Sequence, residues 1–533
     1  MMEERKEGVS DIFPHRNNLK IRLIWESALI GLITGLVVVA NRVLVEKLSP
    51  LLSNFYTYSK GHPLTILLVF VILGAMGFFV GCLVKSDPMI SGSGIPQVEG
   101  ILMKRLDANW LRVLVYKFVG GTMALVAGLS VGREGPSVQM GASVGQGFSK
   151  VCKRLNIEDK FLITSGASAG LAAAFNAPLS GVIFALEEVH KNFSPLVLLS
   201  AMSASIAADF MCKNFLGLGP ALGFSNVDVF PLKYYWALIL LGVLVGITGV
   251  AFSKGILKTQ DIYAKFTKVP VQVKVMIPFL CAGLVGLTAP ILLGGGHSLI
   301  MSLVDGGFTI KVLLVFLIVK YLFTFISFGS NAPGGIFFPL LVLGAIVGNI
   351  FGVIVCKTAN IPMIYVINFI IFAMAGHFAS IVKAPITGII LITEMSGSFE
   401  HLLALTIVVI VSYVTSDILK SEPIYESLLE KRLKNCDGSE CESDCTAYVK
   451  KTLLELSVFM GSEVEGKLIK NINWPKECLL VAIKRGGKEI IPKGGTEIIS
   501  GDLLVVLVDE DKAADALSKL QTLSSKIEIK QEL

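Results

Sequence analysis

The chain has 533 residues, 53% of them hydrophobic and only 17% charged, with a mean hydropathy of +0.71. Ordinary soluble chains are about 45–50% apolar and about 25% charged. The composition therefore excludes a soluble enzyme and a disordered or collagenous chain, and it fits a polytopic membrane protein whose solvent is lipid. A formal net charge of +6 is small for this length. No basic run with interleaved aromatics argues for nucleic-acid binding. The charge is unevenly spread: 33 of the 88 charged residues lie in positions 431–533.

Residues 1–22 are polar, mixed in charge and contain Pro14. They carry no secretory signal and are expected to form a cytosolic N-terminal segment. Ten apolar runs follow that suffice to enter or cross a bilayer: 27–45, 64–84, 111–130, 196–213, 234–254, 273–293, 311–328, 341–357, 364–380 and 402–417. Between them lie segments rich in glycine and proline, at 92–100, 132–148, 166–190, 294–304, 331–340 and 384–397. These are too polar or too broken to face lipid, so protein must cover them or they must line a watery cavity. They are either re-entrant packing loops or an ion pathway built from helix ends.

The body repeats itself. PSVQMGASVGQGF (136–148) matches PLLVLGAIVGNIF (339–351) at an offset of 203. NAPLSGVIFALEE (176–188) matches KAPITGIILITEM (383–395) at an offset of 207, with Glu187 opposite Glu394. GSGIPQVEG (92–100) has a counterpart in GGGHSLIMS (294–302). Two copies of one unit, about 25–215 and 232–418, follow from the order and spacing, which leave open whether the second is inverted.

After Tyr425 the character changes. Residues 430–447 read as a charged linker and 448–533 as a small α/β module. CLLVAIKR (478–485) alternates, Gly486–Gly487 turns the chain, and KEIIP (488–492) returns. LLVVLV (503–508) is a buried strand, and 510–521 has helical apolar spacing. Five cysteines of the body are scattered through apolar stretches, where they pack as small hydrophobes. Cys436, Cys441 and Cys445 cluster in the linker. Their spacing is not a common zinc pattern and no histidine lies nearby, so reduced thiols compete with a metal site there.

Three glycine-rich motifs open helices inside the body. GSGIP (92–96) offers the Ser93 hydroxyl and a backbone, Gly94 included, that an ion can approach closely. GREGP (132–136) places Glu134 at a helix start, and GGIFFP (334–339) repeats the arrangement. Helix N-termini carry unpaired N–H groups and about half a positive charge, so they hold an anion without a full cation. A carboxylate in a membrane body is costly and functional by default. Glu134 would occupy the anion site itself and lose that attraction on protonation; the alternative is an ion pair with Arg133. An intramembrane enzyme is disfavoured, because His15, His62, His190, His297, His377 and His401 form no H-x3-H or HExxH pattern.

GSGIP, GREGP, GGIFFP and the late Tyr425 in EPIYESLL, in this order over about 23–428, resemble the ClC family of chloride channels and proton-coupled chloride transporters. The resemblance implies an all-α polytopic membrane fold, with two inverted repeats of re-entrant and tilted helices in 23–429. It also implies one anion path per subunit and a homodimer in the plasma membrane, with both termini cytosolic. Ser93 and Tyr425 then resemble the hydroxyls that hold chloride, and Ile336 and Phe337 the residues whose backbone N–H groups complete the site. Glu134 resembles the gating glutamate and Glu188 the inner proton-transfer glutamate. Glu188 favours chloride/proton exchange over a passive channel, although Glu187 and Glu188 would also serve as ordinary interfacial charges. The serine in GSGIP goes with chloride, with bromide and nitrate permeating. Chloride is a substrate, and no cofactor is implied.

The tail resembles the C-terminal regulatory module of prokaryotic potassium-uptake and potassium-channel proteins, the TrkA-C or RCK C-terminal type, along NWPKECLLVAIKRGGKEIIPKGGTEIISGDLLVVLVDEDK. That likeness points to a bacterial source and to a cytosolic regulatory domain. It would either bind a small ligand, such as a cyclic nucleotide, or serve as a dimer-stabilising appendage.

Overall fold

A computed structural model describes residues 12–59, 61–154, 156–217, 219, 221–224, 227–436, 451–475, 478–486, 488–509 and 513–524. The chain divides into two compact units, Met1–Asn435 and Cys436–Leu533.

The first half of the larger unit comprises α1 (Ile12–Ser59), α2 (Pro63–Ser86), α3 (Ile95–Leu102), α4 (Trp110–Val126), α5 (Glu134–Val151), α6 (Asn156–Phe175), α7 (Pro178–Phe184) and α8 (Pro195–Leu216). The second half repeats the order: α9 (Trp236–Lys265), α10 (Val271–Thr288), α11 (His297–Asp305), α12 (Ile310–Gly329), α13 (Phe337–Thr358), α14 (Val366–Val382), α15 (Pro385–Ser396) and α16 (Leu402–Ile418). α17 (Ile424–Cys436) follows. Among the described residues, eight helices are long and apolar enough to cross a membrane. Eight of the ten apolar runs fall on them.

The other two runs, 111–130 and 402–417, form the 17-residue helices α4 and α16. Helix α4 stops at Val126 because the chain then turns through Gly128, at φ +81°. The run 273–293 also ends early: α10 stops at Thr288 and Pro290 starts a separate 3-10 turn. The chain is helical from Ile12, straight through the expected boundary at residue 22. Helix α6 has no long apolar run of its own, and its second half falls in the glycine-rich segment 166–190. It is rich in Gly, Ala and Ser because it packs against protein rather than lipid, and small residues let helices approach closely. A Cβ added to Gly141 of α5 would lie 2.0 Å from the carbonyl oxygen of Gly166 on α6.

Helices α5 and α13 start at the offset of 203, and α7 and α15 at 207. Gly132 and Gly335 exchange two backbone hydrogen bonds, of 2.7 and 2.8 Å, in an antiparallel bridge. The same residue from each copy pairs with its equivalent, so the halves are related by a two-fold rotation passing beside this bridge. That rotation sets the starts of α5 and α13 head to head and inverts one half relative to the other. Two buried lysines obey the same symmetry. Lys117 donates to the carbonyls of Ile90 and Gly92, at 2.8 and 2.7 Å. Lys320 donates to those of Leu292 and Gly294, at 3.0 and 2.7 Å. The Glu187 carboxylate accepts from the N–H groups of Ile386 and Thr387 at the start of α15. The Glu394 carboxylate accepts from those of Leu179 and Ser180 at the start of α7.

The smaller unit is a four-stranded antiparallel sheet of order β1-β4-β2-β3, with β1 (Lys451–Ser457), β2 (Cys478–Arg485), β3 (Lys488–Ile490) and β4 (Leu503–Asp509). Helix α18 (Ala513–Ser524) packs on β1 and β4. Leu456, Ile483, Leu504, Val506 and Leu520 form its core. Arg485 clamps the buried Asp502 with two 2.7 Å hydrogen bonds. Burial opposes ionisation, yet these bonds and the Ile499 N–H hold the Asp502 carboxyl below its ordinary range. The side chain of Cys436, and Cys441 and Cys445 entirely, lie outside the described residues.

Candidate anion site at converging helix starts

Three helices begin at one place where the N-cap residue's own side chain makes no capping hydrogen bond: α3 after Gly94, α5 after Arg133 and α13 after Ile336. Their first turns contain Pro96, Pro136 and Pro339, which lack an N–H and so reduce the number of orphan donors. The remaining free N–H groups, those of Ile336 and Phe337 included, leave positive helix ends pointing into a buried space.

Gly94 takes φ +96°, a left-handed conformation that glycine adopts without strain. The loop before it is held by Lys117, by a 2.7 Å bond from Gln139 to the Met89 carbonyl and by one of equal length from Gln97 to the Ser91 carbonyl. This anchoring sets Ser93 beside α5: a Cβ on Gly135 would lie 2.4 Å from Ser93 Oγ. Glu134 makes the same demand on Gly132, whose added Cβ would lie 2.0 Å from Glu134 Oε2. The glycines of GREGP thus leave room for two oxygen-bearing side chains.

Ser93, Gly94, Glu134, Ile336, Phe337 and Tyr425 are all buried. Tyr425, at the start of α17, brings its hydroxyl against Ser93 and within electrostatic reach of both Glu134 and Glu188. The Glu134 carboxyl lies against the N–H groups of Phe338, Arg133 and its own residue. Among the described residues, Ser93 Oγ, Glu134 Oε2 and Tyr425 Oη approach these neighbours without making a hydrogen bond of good geometry. Arg133 turns away, with its guanidinium 3.9 Å from Glu46, so the ion pair between neighbours does not form.

Glu188 stands apart from the helix starts. It lies in a single π-helical turn, Ala185–Val189, is buried, and leaves Oε1 without a partner. Its neighbour Glu187 points the other way, onto α15. The pair therefore consists of one helix cap and one sequestered acid. A cavity of about 550 Å³ reaches Ser93 and is rimmed by Lys274, Lys431, Arg432 and Lys434.

The motifs did not reveal Lys117, Gln139, Glu99 or Lys191. Glu99 is 1% exposed and pairs with Lys191. For Lys117, its place within the apolar run 111–130 is the available signal, since such a charge is functional by default. Its mate Lys320 at an offset of 203 doubled that signal. Among the described residues, no group of three or more His, Cys, Asp or Glu is placed to hold a metal.

Inverted helical repeats with helix N-termini meeting at a buried polar centre define a multi-pass membrane protein that handles anions. The chain belongs to the voltage gated chloride channel family, whose model matches residues 76–417. A TrkA-C domain model matches 453–521. The chain is 33% identical over 443 residues to the H(+)/Cl(-) exchange transporter ClcA of Vibrio cholerae serotype O1 (strain M66-2), covering 82% of this chain and 95% of that protein. It is 32% identical over 441 residues to the transporter of the same name from Salmonella typhimurium, covering 81% and 93%. The crystal structure of a slow cyanobacterial Cl-/H+ antiporter superposes with a TM-score of 0.75 at 30% identity, over 78% of this chain and 99% of that one.

Proposed function

We propose that this protein is a chloride/proton antiporter of the plasma membrane. Chloride sits between Ser93, Gly94 and Tyr425 and the N–H groups of Ile336 and Phe337. One observation carries the reading: helix starts from both halves, none capped by its own N-cap side chain, meet where the Ser93 and Tyr425 hydroxyls and the Glu134 carboxyl lie together. Donors without acceptors beside a carboxylate suit a second, removable anion. The ionised Glu134 carboxylate fills the anion's place. Protonated, it loses its attraction for the helix ends and yields to chloride. Glu188 relays the proton toward the cytosol.

A passive channel is the second reading, since the same helix ends would pass chloride alone. The sequestered second acid Glu188 favours exchange. Simultaneous chloride and proton flux in proteoliposomes decides between them. An exchanger drives protons uphill on a chloride gradient and its reversal potential shifts with pH. A reversal potential that follows chloride alone would establish the channel. Glu188→Gln should abolish proton flux, and unchanged coupling would move the proton route elsewhere.

We read the protein as a homodimer with both termini cytosolic, and its tail as a regulatory module for a small ligand such as a cyclic nucleotide. Flux that does not respond to any member of a cyclic-nucleotide panel would remove that role.

A further inference from the structure

Lys191 follows Glu188 by three residues. Its ammonium donates to Glu99 Oε1 at 2.5 Å and also to Glu426 Oε1. Glu99 lies on α3, in the element that Ser93 and Gly94 introduce, and Glu426 follows Tyr425 on α17. One cation therefore ties together the elements that deliver Ser93, Glu188 and Tyr425. Glu99 is 1% exposed on its side chain and Glu426 46%, so the two arms differ in character.

Glu188 is within electrostatic reach of Lys191, Glu99, Glu426 and Glu187, and of Tyr425. Arg105, in the turn after α3, faces Glu99. Glu187 is committed to its cap on α15. Glu99 and Glu426 share one ammonium and Glu99 also faces Arg105, so with Glu188 the acids still outnumber the cations named here. Around the buried Glu188, a like charge disfavours ionisation and an opposite one favours it.

We propose that Lys191 is a positioning residue of the proton route: it divides its charge between Glu99 and Glu426, and the share that reaches Glu188 sets the pH at which Glu188 releases its proton. The inference rests on the reading of Glu188 as the inner proton acid.

The test measures chloride-driven proton flux and chloride flux across pH for the full-length protein in proteoliposomes. Lys191→Met removes the opposite charge, so proton release becomes harder. The pH profile of proton flux should move to higher pH by about one unit, a tenfold change in proton concentration. Glu426→Gln removes a like charge and leaves Lys191 to Glu99 and Glu188, so the profile should move to lower pH. Lys191→Arg should restore the wild-type profile. Opposed movements support the proposal. Movements in the same direction, no movement, or parallel loss of both fluxes with an unchanged profile would overturn it. Should Lys191→Met fail to fold, Glu426→Gln decides alone, since it alters only the more exposed arm. Glu188→Gln separates the two levels. Retained proton flux in that variant overturns the assignment of Glu188; lost flux together with unopposed profiles overturns only the role of Lys191.

Discussion

The two halves of the membrane unit share a scaffold and differ in chemistry. Both begin their central helix with a Gly–Gly bridge partner and a proline, hold a glycine loop with a buried lysine, and lend a glutamate to cap the other half. The acids and the hydroxyl of the candidate site are not duplicated. Glu134 corresponds to Phe337, Glu188 to Met395 and Ser93 to Gly295. Duplication preserved what positions backbone N–H groups. On the proposed reading one copy carries the acids, while the other offers the anion only its helix end. Such a site, with one titratable wall, would couple two ions more simply than a symmetric one, because a single protonation changes the balance.

The sharpest break in this comparison is Glu134→Gln against Phe337→Leu. The first should cut proton flux by about a hundredfold, the scale of one lost proton-transfer group, while chloride still moves. The second keeps its backbone N–H and should leave the proton-to-chloride ratio unchanged. Uphill proton movement in Glu134→Gln would show that the acids are not divided this way.

The shared scaffold should fail alike in both halves. Gly141→Ala and Gly344→Ala each push a Cβ into a neighbouring helix, at 2.0 Å from Gly166 O and 2.8 Å from Ala373 O. Overpacking costs about 1–3 kcal/mol. Thermal unfolding in detergent should show a loss for both, larger for Gly141. The lysines should divide by role. Lys117→Met releases the loop that carries Ser93 and should weaken chloride binding about tenfold, or ~1.4 kcal/mol, read by calorimetric titration. Lys320→Met should leave that affinity intact. The smallest effect is expected for Glu187→Gln and Glu394→Gln, each losing about 0.3–1 kcal/mol of helix-end stabilisation. Equal losses would uphold the two-fold relation; a loss in only one would break it.

Much of this was legible in the sequence because membrane packing writes itself in glycine. The recurring Gly141/Gly344 and Gly145/Gly348 pairs exposed the duplication, and the structure explains them as points of close helix approach. That the candidate site residues meet was legible because glycine and proline surround the helix starts that carry them. Helix α6 was not, since a helix enclosed by protein does not need the hydropathy of one facing lipid. Nor were Glu99 and Lys191: their meeting depends on the path of the chain after the π turn, which no local spacing encodes. The inversion was hidden too, because an offset is blind to direction. It emerges only from equivalent residues pairing with each other.

The exchanged caps have a further meaning. Helix α7 is finished by a residue of the second half, and α15 by a residue of the first. Neither half closes its own fold. A half standing alone would present a self-complementary face, on which one copy caps its partner and is capped in return, the hallmark of an isologous pair. The covalent link between residues 217 and 235 thus joins two pieces already built to recognise each other. It also freed them to diverge, since a joined pair no longer has to carry the same side chain at the same place twice.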